Sequence, residues 1–349
     1  MNLLFRTDAS VAMGTGHVMR CLALAQGWQD AGGRSVFALA EATAGIRARL
    51  AAESCGVLSV SGAIGTEEDS FQTIALAREH GADWIVVDGY RFSADYQRAL
   101  KAGGFRILFL DDYGHAAHYS ADLVLNQNAN ANEKMYAARK SYTGLLLGPA
   151  YCLLRREFDS WHDWRREIAP VGKKVLVTMG GSDPENVTAI VIDALREVAS
   201  AEASIESKLE MTVVVGGSNP HFDSLQRLTS QWGGRFRLLN SVANMPELMA
   251  SADLAVSGAG STCWEMCLLQ LPMALIELAD NQKPIAQSLE ALGAAVHLGS
   301  AKSASGRGIG ARIASLLVSE AERKALSERC GKLVDGRGVS RVLGELKRS

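Results

Sequence analysis

Short apolar runs alternate along the first half of the chain with longer segments in which apolar residues recur at helical spacing. Such runs are typical of strands that are buried on both faces, and the longer segments are typical of helices with one buried side. The predicted strands of this half are residues 2–7, 35–40, 57–60, 84–88, 106–111 and 123–126. The alternation predicts a parallel sheet that is covered by helices on both faces.

The pattern breaks at residues 161–174 and then resumes. The strands predicted beyond the break begin with an apolar run at Lys174 and continue with residues 211–215, 236–239, 254–257, 273–278 and 295–298. We therefore predict an α/β protein of two doubly wound domains, residues 1–168 and residues 169–349. The charged final segment, residues 319–349, is predicted to be mostly helical.

Length, charge and cysteine usage narrow the class of protein. A chain of 349 residues with a formal net charge of −2 fits two ordinary domains and lacks the basic surplus of nucleic-acid proteins. No apolar run reaches the length of a membrane span, the first residues lack a signal-peptide pattern, and the six cysteines are scattered. We expect a cytoplasmic protein that binds neither nucleic acid nor membrane. The oligomeric state is open, and a two-domain protein that acts on a small molecule can work as a monomer.

The first candidate motif lies between the first predicted strand and the first predicted helix. Gly14 and Gly16 permit a tight loop, because glycine reaches backbone angles that other residues avoid, and His17 follows where the helix begins. Unpaired backbone N–H groups and the positive end of the helix dipole face a ligand at such a position. We predict that His17 takes a proton from water. The alternative is a histidine that only caps or packs the helix.

Polar residues also follow other predicted strands of the first half. They are residues 88–90, 111–113 and 126–128. Because ligands bind beyond the carboxyl ends of parallel strands, we expect these residues to converge with His17 on one rim of the sheet.

The loop at residues 257–265 has the residue types of a diphosphate site. Small residues open a helix beyond a strand, where backbone N–H groups near Gly260 and the hydroxyls of Ser261 and Thr262 can hold a diphosphate. Glu265 lies one turn further and is a good paired acceptor for two ribose hydroxyls. The alternative is that Glu265 is a solvated helix charge.

Two further loops of the second domain point to the same kind of ligand. Gly181 lets a ligand approach the backbone closely and is followed by Ser182, while Asn281 and Gln282 offer donors and acceptors suited to a sugar. The alternatives are an ordinary strand-to-helix turn and a polar helix cap.

The sequence predicts no metal and no cofactor. His115 and His118 lie near two aspartates, but solvated loop histidines are far commoner than metal ligands, and Cys263 and Cys267 lack a matching second pair. The Walker loop, the nucleophile elbow and a clean Rossmann fingerprint are absent from the sequence.

Two doubly wound domains with these loops resemble the GT-B fold of nucleotide-sugar glycosyltransferases, in which two domains face a cleft. Residues 257–282 resemble the UDP site of the transferase that adds N-acetylglucosamine to the lipid intermediate of peptidoglycan. In that family the residues that match Ser261, Glu265 and Gln282 hold the diphosphate, the ribose and the sugar.

A more specific resemblance covers most of the chain. Its motifs are Arg6-x-Asp8-x-Ser10, Gly14-x-Gly16-His17-x-x-Arg20-Cys21, Asp88-x-Tyr90, Asp111-Asp112, Asn126-Gln127-Asn128, Gly148-Pro149-x-Tyr151, Gly180-Gly181-Ser182-Asp183-Pro184 and Glu277-x-Ala279-x-Asn281-Gln282. These motifs resemble the signature of the PseG family, the UDP-sugar hydrolases of pseudaminic acid biosynthesis. The resemblance implies hydrolysis of UDP-2,4-diacetamido-2,4,6-trideoxy-β-L-altropyranose to UDP and the free sugar.

The resemblance also implies roles for individual residues. The histidine that matches His17 activates a water, which attacks the anomeric carbon and inverts its configuration. The expected substrate contacts in the first domain are Arg6, Asp8, Gly14, Gly16, Tyr90 and Asn128. Asp8 either orients His17 or bonds the sugar. No metal is required, since N–H groups and hydroxyls of the second domain meet the charge on UDP.

Two other functions stay open at this point. A glycosyltransferase of the same fold would pass the sugar to an acceptor. A nucleotide-sugar sensor would bind the UDP-sugar tightly without turnover.

Overall fold

The computed structural model describes residues 2–10, 13–181, 183–201, 209–217, 219–230, 235–302 and 306–348. It divides into two compact units, one formed by Met1–Arg156 with Gly336–Ser349 and the other by Glu157–Asp335. Within the described ranges, no helix is both long enough and apolar enough to cross a membrane.

The first unit contains a sheet of seven parallel strands in the order β3-β2-β1-β4-β5-β6-β7. These strands are β1 Asn2–Thr7, β2 Arg34–Leu39, β3 Gly56–Ser59, β4 Trp84–Asp88, β5 Arg106–Leu110, β6 Leu123–Asn126 and β7 Gly144–Leu147. The strands predicted for this half are confirmed to within one residue at each end. Strand β7 has no predicted counterpart, because it is a short edge strand that lies between glycines.

Helices of the first unit connect these strands. They are α1 Gly16–Asp30, α2 Ala44–Ala52, α3 Glu67–Glu79 and α4 Ala94–Ala102, with 3-10 turns at Glu133–Tyr136, Pro149–Tyr151 and Arg156–Trp161. Hydroxyl caps fix where several of them begin, because a hydroxyl oxygen satisfies an N–H group that has no partner within the helix. The side chain of Thr66, for example, accepts a hydrogen bond from the backbone N–H of Asp69.

The second unit contains a sheet of six parallel strands in the order β10-β9-β8-β11-β12-β13. These strands are β8 Lys174–Thr178, β9 Glu210–Val215, β10 Phe236–Asn240, β11 Leu254–Gly258, β12 Met273–Glu277 and β13 Val296–Ser300. Its described helices are α5 Val187–Ala201, α6 Phe222–Ser230, α7 Met245–Ser251, α8 Thr262–Leu268, α9 Lys283–Ala291, α10 Gly306–Val318 and α11 Glu320–Leu333, with a 3-10 turn at Asp280–Gln282.

The apolar runs fill both faces of the first sheet. Leu3 and Phe5 belong to one buried cluster and Leu4, which lies between them on β1, belongs to another. The reason is that successive side chains of a strand point to opposite faces of the sheet. Continuous apolar runs therefore predict a sheet that is covered twice, as found here.

The strand order reverses at one place in each sheet. In the first unit β1 lies next to both β2 and β4, and in the second unit β8 lies next to both β9 and β11. Ligands of doubly wound sheets bind beyond the carboxyl ends of the strands at this switch point. The loop that carries His17 follows β1, and the loop that carries Gly181 follows β8, so both candidate loops lie at a switch point.

The last helix, α12 (Gly338–Arg348), packs against the first unit rather than the second. Val342, Leu343 and Leu346 belong to the same buried cluster as the apolar face of α1. The structural division therefore differs from the predicted domains, since residues 157–168 fall in the second unit and residues from Gly336 onward fall in the first.

Close packing at the start of α12 predicts a strict requirement for glycine. A Cβ atom on Gly338 would lie 2.6 Å from the backbone nitrogen of Cys152. Overpacking of this kind costs about 1–3 kcal/mol. Gly338→Ala should therefore lower the free energy of unfolding of the first unit and accelerate amide hydrogen exchange in α1.

Gly45→Ala is the matched control, because Gly45 is an exposed residue of α2 whose added Cβ would approach only the Thr43 hydroxyl, at 4.0 Å. This variant should be as stable as the parent or more stable by up to about 1 kcal/mol. Equal exchange rates in α1 for Gly338→Ala and Gly45→Ala would contradict this account of α12.

Candidate active site

The loop between β1 and α1 places His17 at the switch point of the first sheet. Gly14 has a φ of +75° and donates its backbone N–H to the carbonyl oxygen of Ser10 at 2.8 Å, which closes the turn. Helix α1 begins two residues later at Gly16, and His17 is its second residue. The predicted tight loop and helix start are confirmed.

His17 pairs with a carboxylate that comes from the neighbouring strand. Its Nδ1 lies 2.7 Å from Oδ1 of Asp88, the last residue of β4, which is completely buried. Burial alone would raise the pKa of Asp88, but Arg20 and then His17 hold it well below its usual range. An ionised carboxylate only accepts hydrogen bonds, so Nδ1 of His17 carries a proton and donates it to Asp88. In the neutral imidazole, Nε2 is then the nitrogen that can accept a proton.

Arg20 holds the same carboxylate from the other side. It lies one turn after His17 on α1, and residues at this spacing share a helix face. Its Nε donates to Asp88 Oδ2 and its Nη2 to Asp88 Oδ1, both at 2.7 Å. Burial alone would lower the pKa of Arg20, but Asp112 and Asp88 raise it well above its usual value. The guanidinium is therefore a fixed charge in this site.

Asp112, which lies just beyond β5, links Arg20 to the rest of the rim. Its Oδ1 accepts from Arg20 Nη1 at 2.7 Å and from Asn128 Nδ2 at 3.0 Å. Its Oδ2 accepts from the hydroxyl of Tyr90 at 2.6 Å. The predicted convergence of these strand ends with His17 is confirmed. Asn128 is only 2% exposed and gives its amide to Asp112, so its geometry supports a structural role more than a sugar contact.

Aromatic rings line the rim beside His17. The Tyr90 ring meets the His17 ring edge-on with centroids 4.8 Å apart, and Tyr113 packs against Tyr90 at 5.2 Å. The hydrogen bond from the Tyr90 hydroxyl to Asp112 fixes the ring in this position.

A second histidine, His115, lies in the loop after β5 between a carboxylate and a backbone carbonyl. Its Nδ1 lies within ion-pair distance of Asp111 Oδ1, at 3.3 Å, and its Nε2 donates to the carbonyl oxygen of Phe92 at 3.2 Å. Burial alone would lower the pKa of His115, but Asp111 raises it. Burial alone would raise the pKa of Asp111, but His115 lowers it to about 2.

Arg6 and Asp8 lie in the interior and do not join this cluster. Arg6 is 0% exposed, donates to Asp69 at 2.8 and 2.7 Å, and donates to Asp8 at 2.6 Å. The other oxygen of Asp8 accepts from the backbone N–H groups of Ala40 and Glu41 at 2.7 and 2.9 Å. This geometry gives no support to the prediction that Arg6 and Asp8 contact the substrate. The carboxylate that orients His17 is Asp88, not Asp8.

In the second unit, two of the three predicted loops meet beyond the sheet. Gln282 accepts a hydrogen bond from the backbone N–H of Leu278 at 3.0 Å through Oε1. Its Nε2 would lie 3.9 Å from a Cβ atom on Gly260, so the side chain bridges from the loop after β12 to the loop after β11. Gly181 follows β8, the neighbour of β11 in the sheet. A Cβ atom on Gly216, which follows β9, would lie 2.6 Å from the Cα atom of Gly181, so the loops after β8 and β9 approach closely.

The remaining predicted residues of this unit lie nearby in the chain. Ser261 immediately precedes α8, Thr262 is its first residue and Glu265 its fourth, and all three are partly buried. Asn281 is exposed on the 3-10 turn after β12. Ser182 lies outside the described residues. Across the described part of the chain, no three His, Cys, Asp or Glu side chains are grouped as metal ligands.

Three residues carry the network of the first unit: Asp88, Arg20 and Asp112. The sequence prediction places Asp88 and Asp112 on the rim without a role and does not include Arg20 among the substrate contacts. A signal for them existed. Asp88 and Asp112 belong to the polar groups at predicted strand ends, and Arg20 lies three residues after His17, on the same side of a predicted helix.

Comparison with known sequences relates the second unit to a family. Residues 175–328 match the sequence model of the glycosyltransferase family 28 C-terminal domain. A UDP-2,4-diacetamido-2,4,6-trideoxy-beta-L-altropyranose hydrolase from Campylobacter jejuni is 27% identical over 82% of this chain and 95% of its own length. MJ1062, an uncharacterized protein from Methanocaldococcus jannaschii, is 23% identical over 81% of this chain, and the match spans only 57% of that relative.

Comparison with solved structures relates the whole chain to a fold. MurG of Acinetobacter baumannii has a TM-score of 0.65 at 13% identity, over 100% of this chain and 99% of its own. HepE of Anabaena, solved in complex with UDP and glucose, has a TM-score of 0.61 at 15% identity, over 100% of both chains. The chain has the GT-B fold. The fold expected from the sequence is confirmed, and at these identities the likeness concerns the fold alone.

The pair of His115 and Asp111 predicts a pH-dependent stability of the first unit. Because the pKa of His115 is raised on folding, its contribution is complete below the unfolded value of about 6.5 and is lost as the pH rises through the folded value. Because the pKa of Asp111 is lowered, its contribution is complete above about 4 and is lost as the pH falls toward about 2. The pair therefore stabilises most between about pH 4 and 6.5.

His115→Gln should accordingly destabilise the protein more at about pH 6 than at about pH 9, as measured by urea unfolding of parent and variant across this range. In an Asp111→Asn background, which removes the largest of the groups that raise the pKa of His115, the excess loss at the lower pH should shrink or disappear. A difference that is constant with pH in the parent background would show that His115 is not a buried cation.

Proposed function

We propose that this protein is a hydrolase that cleaves UDP-2,4-diacetamido-2,4,6-trideoxy-β-L-altropyranose into UDP and the free sugar. The observation that carries the proposal is the pair of His17 and Asp88 at a switch point, with Nδ1 of the histidine bound to a buried carboxylate at 2.7 Å. The likeness to the Campylobacter jejuni hydrolase over most of both chains supports the same assignment.

The geometry of the first unit suits a general base. With the proton on Nδ1 held by Asp88, Nε2 of His17 accepts a proton from a water molecule. The water oxygen then bonds to the anomeric carbon from the side opposite UDP. The bond from that carbon to the phosphate oxygen breaks, its electron pair leaves with UDP, and the other water proton stays on the new hydroxyl. The carboxylate of Asp88 stabilises the imidazolium that forms, and the configuration of the anomeric carbon is inverted.

We assign binding of UDP to the second unit. The residue types in its loops support this assignment, and the structural relative HepE has been solved in complex with UDP. Backbone N–H groups near Gly260 and the hydroxyls of Ser261 and Thr262 would meet the charge that develops on the diphosphate. Glu265 would accept hydrogen bonds from the ribose hydroxyls.

A glycosyltransferase is the second candidate, because the second unit matches a glycosyltransferase family model. The two reactions share UDP as a product and differ in the nucleophile. Product analysis without any added acceptor separates them, since only a hydrolase then releases the free sugar.

His17→Asn should abolish most of the hydrolysis. Loss of a general base lowers the rate by about 10²–10⁴-fold, and the expected loss is in kcat while the affinity for UDP is unchanged. The measurement is proton NMR of the UDP-sugar incubated with each protein, in the presence and absence of EDTA. The parent should release UDP and the free sugar of inverted anomeric configuration in both solutions.

The control is His162→Asn, a side chain in the second unit that is 34% exposed, and it should behave like the parent. Substrate that survives incubation with the parent would refute the proposed reaction. Equal rates for the parent and His17→Asn would refute the role of His17 while leaving the reaction in place.

Glu265→Gln tests the assignment of UDP to the second unit. Hydrogen bonds to a charged acceptor contribute about 1.5–3 kcal/mol, so the affinity for UDP should fall by at least about tenfold in calorimetric titration. The loss should be smaller for 2′-deoxy-UDP, which lacks one of the two hydroxyls. Glu247→Gln, at an exposed carboxylate in the first turn of α7, should bind both nucleotides as the parent does. A loss of equal size for both nucleotides would argue against a ribose contact.

A further inference from the structure

Tyr113 exposes a large aromatic surface beside the candidate base. Its side chain is 43% exposed, although most aromatic side chains of this unit are buried. Its ring packs against Tyr90 at 5.2 Å, and the Tyr90 ring meets His17 at 4.8 Å. His115 packs against both tyrosines, 5.8 Å from Tyr90 and 5.7 Å from Tyr113. Tyr90 therefore contacts both the candidate base and Tyr113.

A buried carboxylate holds the backbone of the loop that carries Tyr113. Oδ1 of Asp111 accepts the backbone N–H groups of Asp112, Tyr113 and Gly114 at 2.6, 3.0 and 3.0 Å. Its other oxygen accepts the hydroxyl of Tyr119. These hydrogen bonds favour one backbone conformation and so fix the point from which the Tyr113 side chain extends.

We propose that Tyr90 and Tyr113 form an aromatic wall that binds the apolar side of the sugar, and that Tyr113 determines specificity for a 6-deoxy amino sugar. The inference rests on the proposed function, which places the anomeric carbon one water molecule away from His17. A sugar in this position meets Tyr90, whose ring contacts the base, and its C4 and C6 substituents extend toward Tyr113, whose ring contacts Tyr90.

The apolar groups of the proposed sugar match the aromatic surface of Tyr90 and Tyr113. A 6-deoxy sugar carries a methyl group where most hexoses carry a hydroxymethyl group, and an acetamido group adds a second methyl. Aromatic rings gain free energy when they are covered by apolar groups, and a hydroxymethyl group on the same surface loses part of that gain. Burial, Asp111 and Asp112 raise the pKa of the Tyr113 phenol, so it stays neutral and does not repel an anionic ligand.

The test compares two UDP-sugars on the parent, Tyr113→Ala and Tyr113→Phe. One is the diacetamido trideoxy sugar nucleotide and the other is UDP-N-acetylglucosamine, which has hydroxyl groups at C4 and C6. A change of one apolar contact in a binding pocket alters selectivity by about 10–200-fold. Tyr113→Ala should therefore lower kcat/KM for the 6-deoxy substrate by about tenfold, mainly through KM, and reduce the preference over UDP-N-acetylglucosamine. Tyr113→Phe should retain the parent's selectivity.

Calorimetric titration in the His17→Asn background gives a readout that does not depend on turnover. Tyr113→Ala should weaken binding of the 6-deoxy UDP-sugar and leave binding of UDP unchanged, which also shows that the variant is folded. Tyr142→Ala is the matched control, because this tyrosine is 53% exposed and precedes β7. It therefore lies at the amino ends of the parallel strands, away from the carboxyl ends that carry His17 and Tyr113.

The outcomes distinguish failure of the aromatic wall from failure of the proposed hydrolase function. If the parent hydrolyses the 6-deoxy substrate and Tyr113→Ala keeps its selectivity and affinity, the aromatic wall is overturned and the hydrolase stands. If the parent neither binds nor hydrolyses this substrate, the proposed function and the aromatic wall are both overturned.

Discussion

The carboxylate of Asp88 is the group on which the candidate site of the first unit depends. It is completely buried, and a buried charge persists only when it is paired and hydrogen-bonded. Its two oxygens accept from His17 and from two nitrogens of Arg20. Strand β4 ends at Asp88 next to β1, and α1 follows β1 in the chain. The pairing of these strands therefore places the carboxylate of Asp88 beside both donors on α1, His17 and Arg20. Removing the carboxylate would leave the charge of Arg20 without its central partner and the ring of His17 without an orientation.

The two units use one architecture for different chemistry. Each sheet has the same strand order around its switch point, and each places polar or small residues there. In the first unit, ionised side chains surround a histidine. In the second unit, glycines, hydroxyls and amides lie in the corresponding loops, and these residue types suit a diphosphate. Fold alone does not select a reaction, so the residue types at each switch point carry the functional argument.

Much of this architecture follows from the sequence, because strand runs and helical spacing are local signals. The strand ends, the helix start at His17 and the convergence of the rim were all predicted in this way. The partner of His17 was not, since Asp88 is 71 positions away and strand order alone brings it near. Asp8 is nearer to His17 in the sequence. Its oxygens, however, accept hydrogen bonds from Arg6 and from the backbone N–H groups of Ala40 and Glu41. The return of α12 to the first unit also depends on long-range packing that no local pattern reveals.

The proposed distinction between hydrolysis and transfer depends on the first unit. The family model covers residues 175–328, so the likeness to glycosyltransferases that it expresses concerns the second unit. Around His17, the polar groups of Asp88, Arg20 and Asp112 are directed at one another, and beyond them the rim is aromatic. A water molecule needs only the base and a place beside the anomeric carbon, whereas an acceptor sugar also needs polar groups that recognise its hydroxyls. The pairing of these charges with one another therefore supports the proposed hydrolase, while the aromatic rim would suit the donor sugar in either reaction.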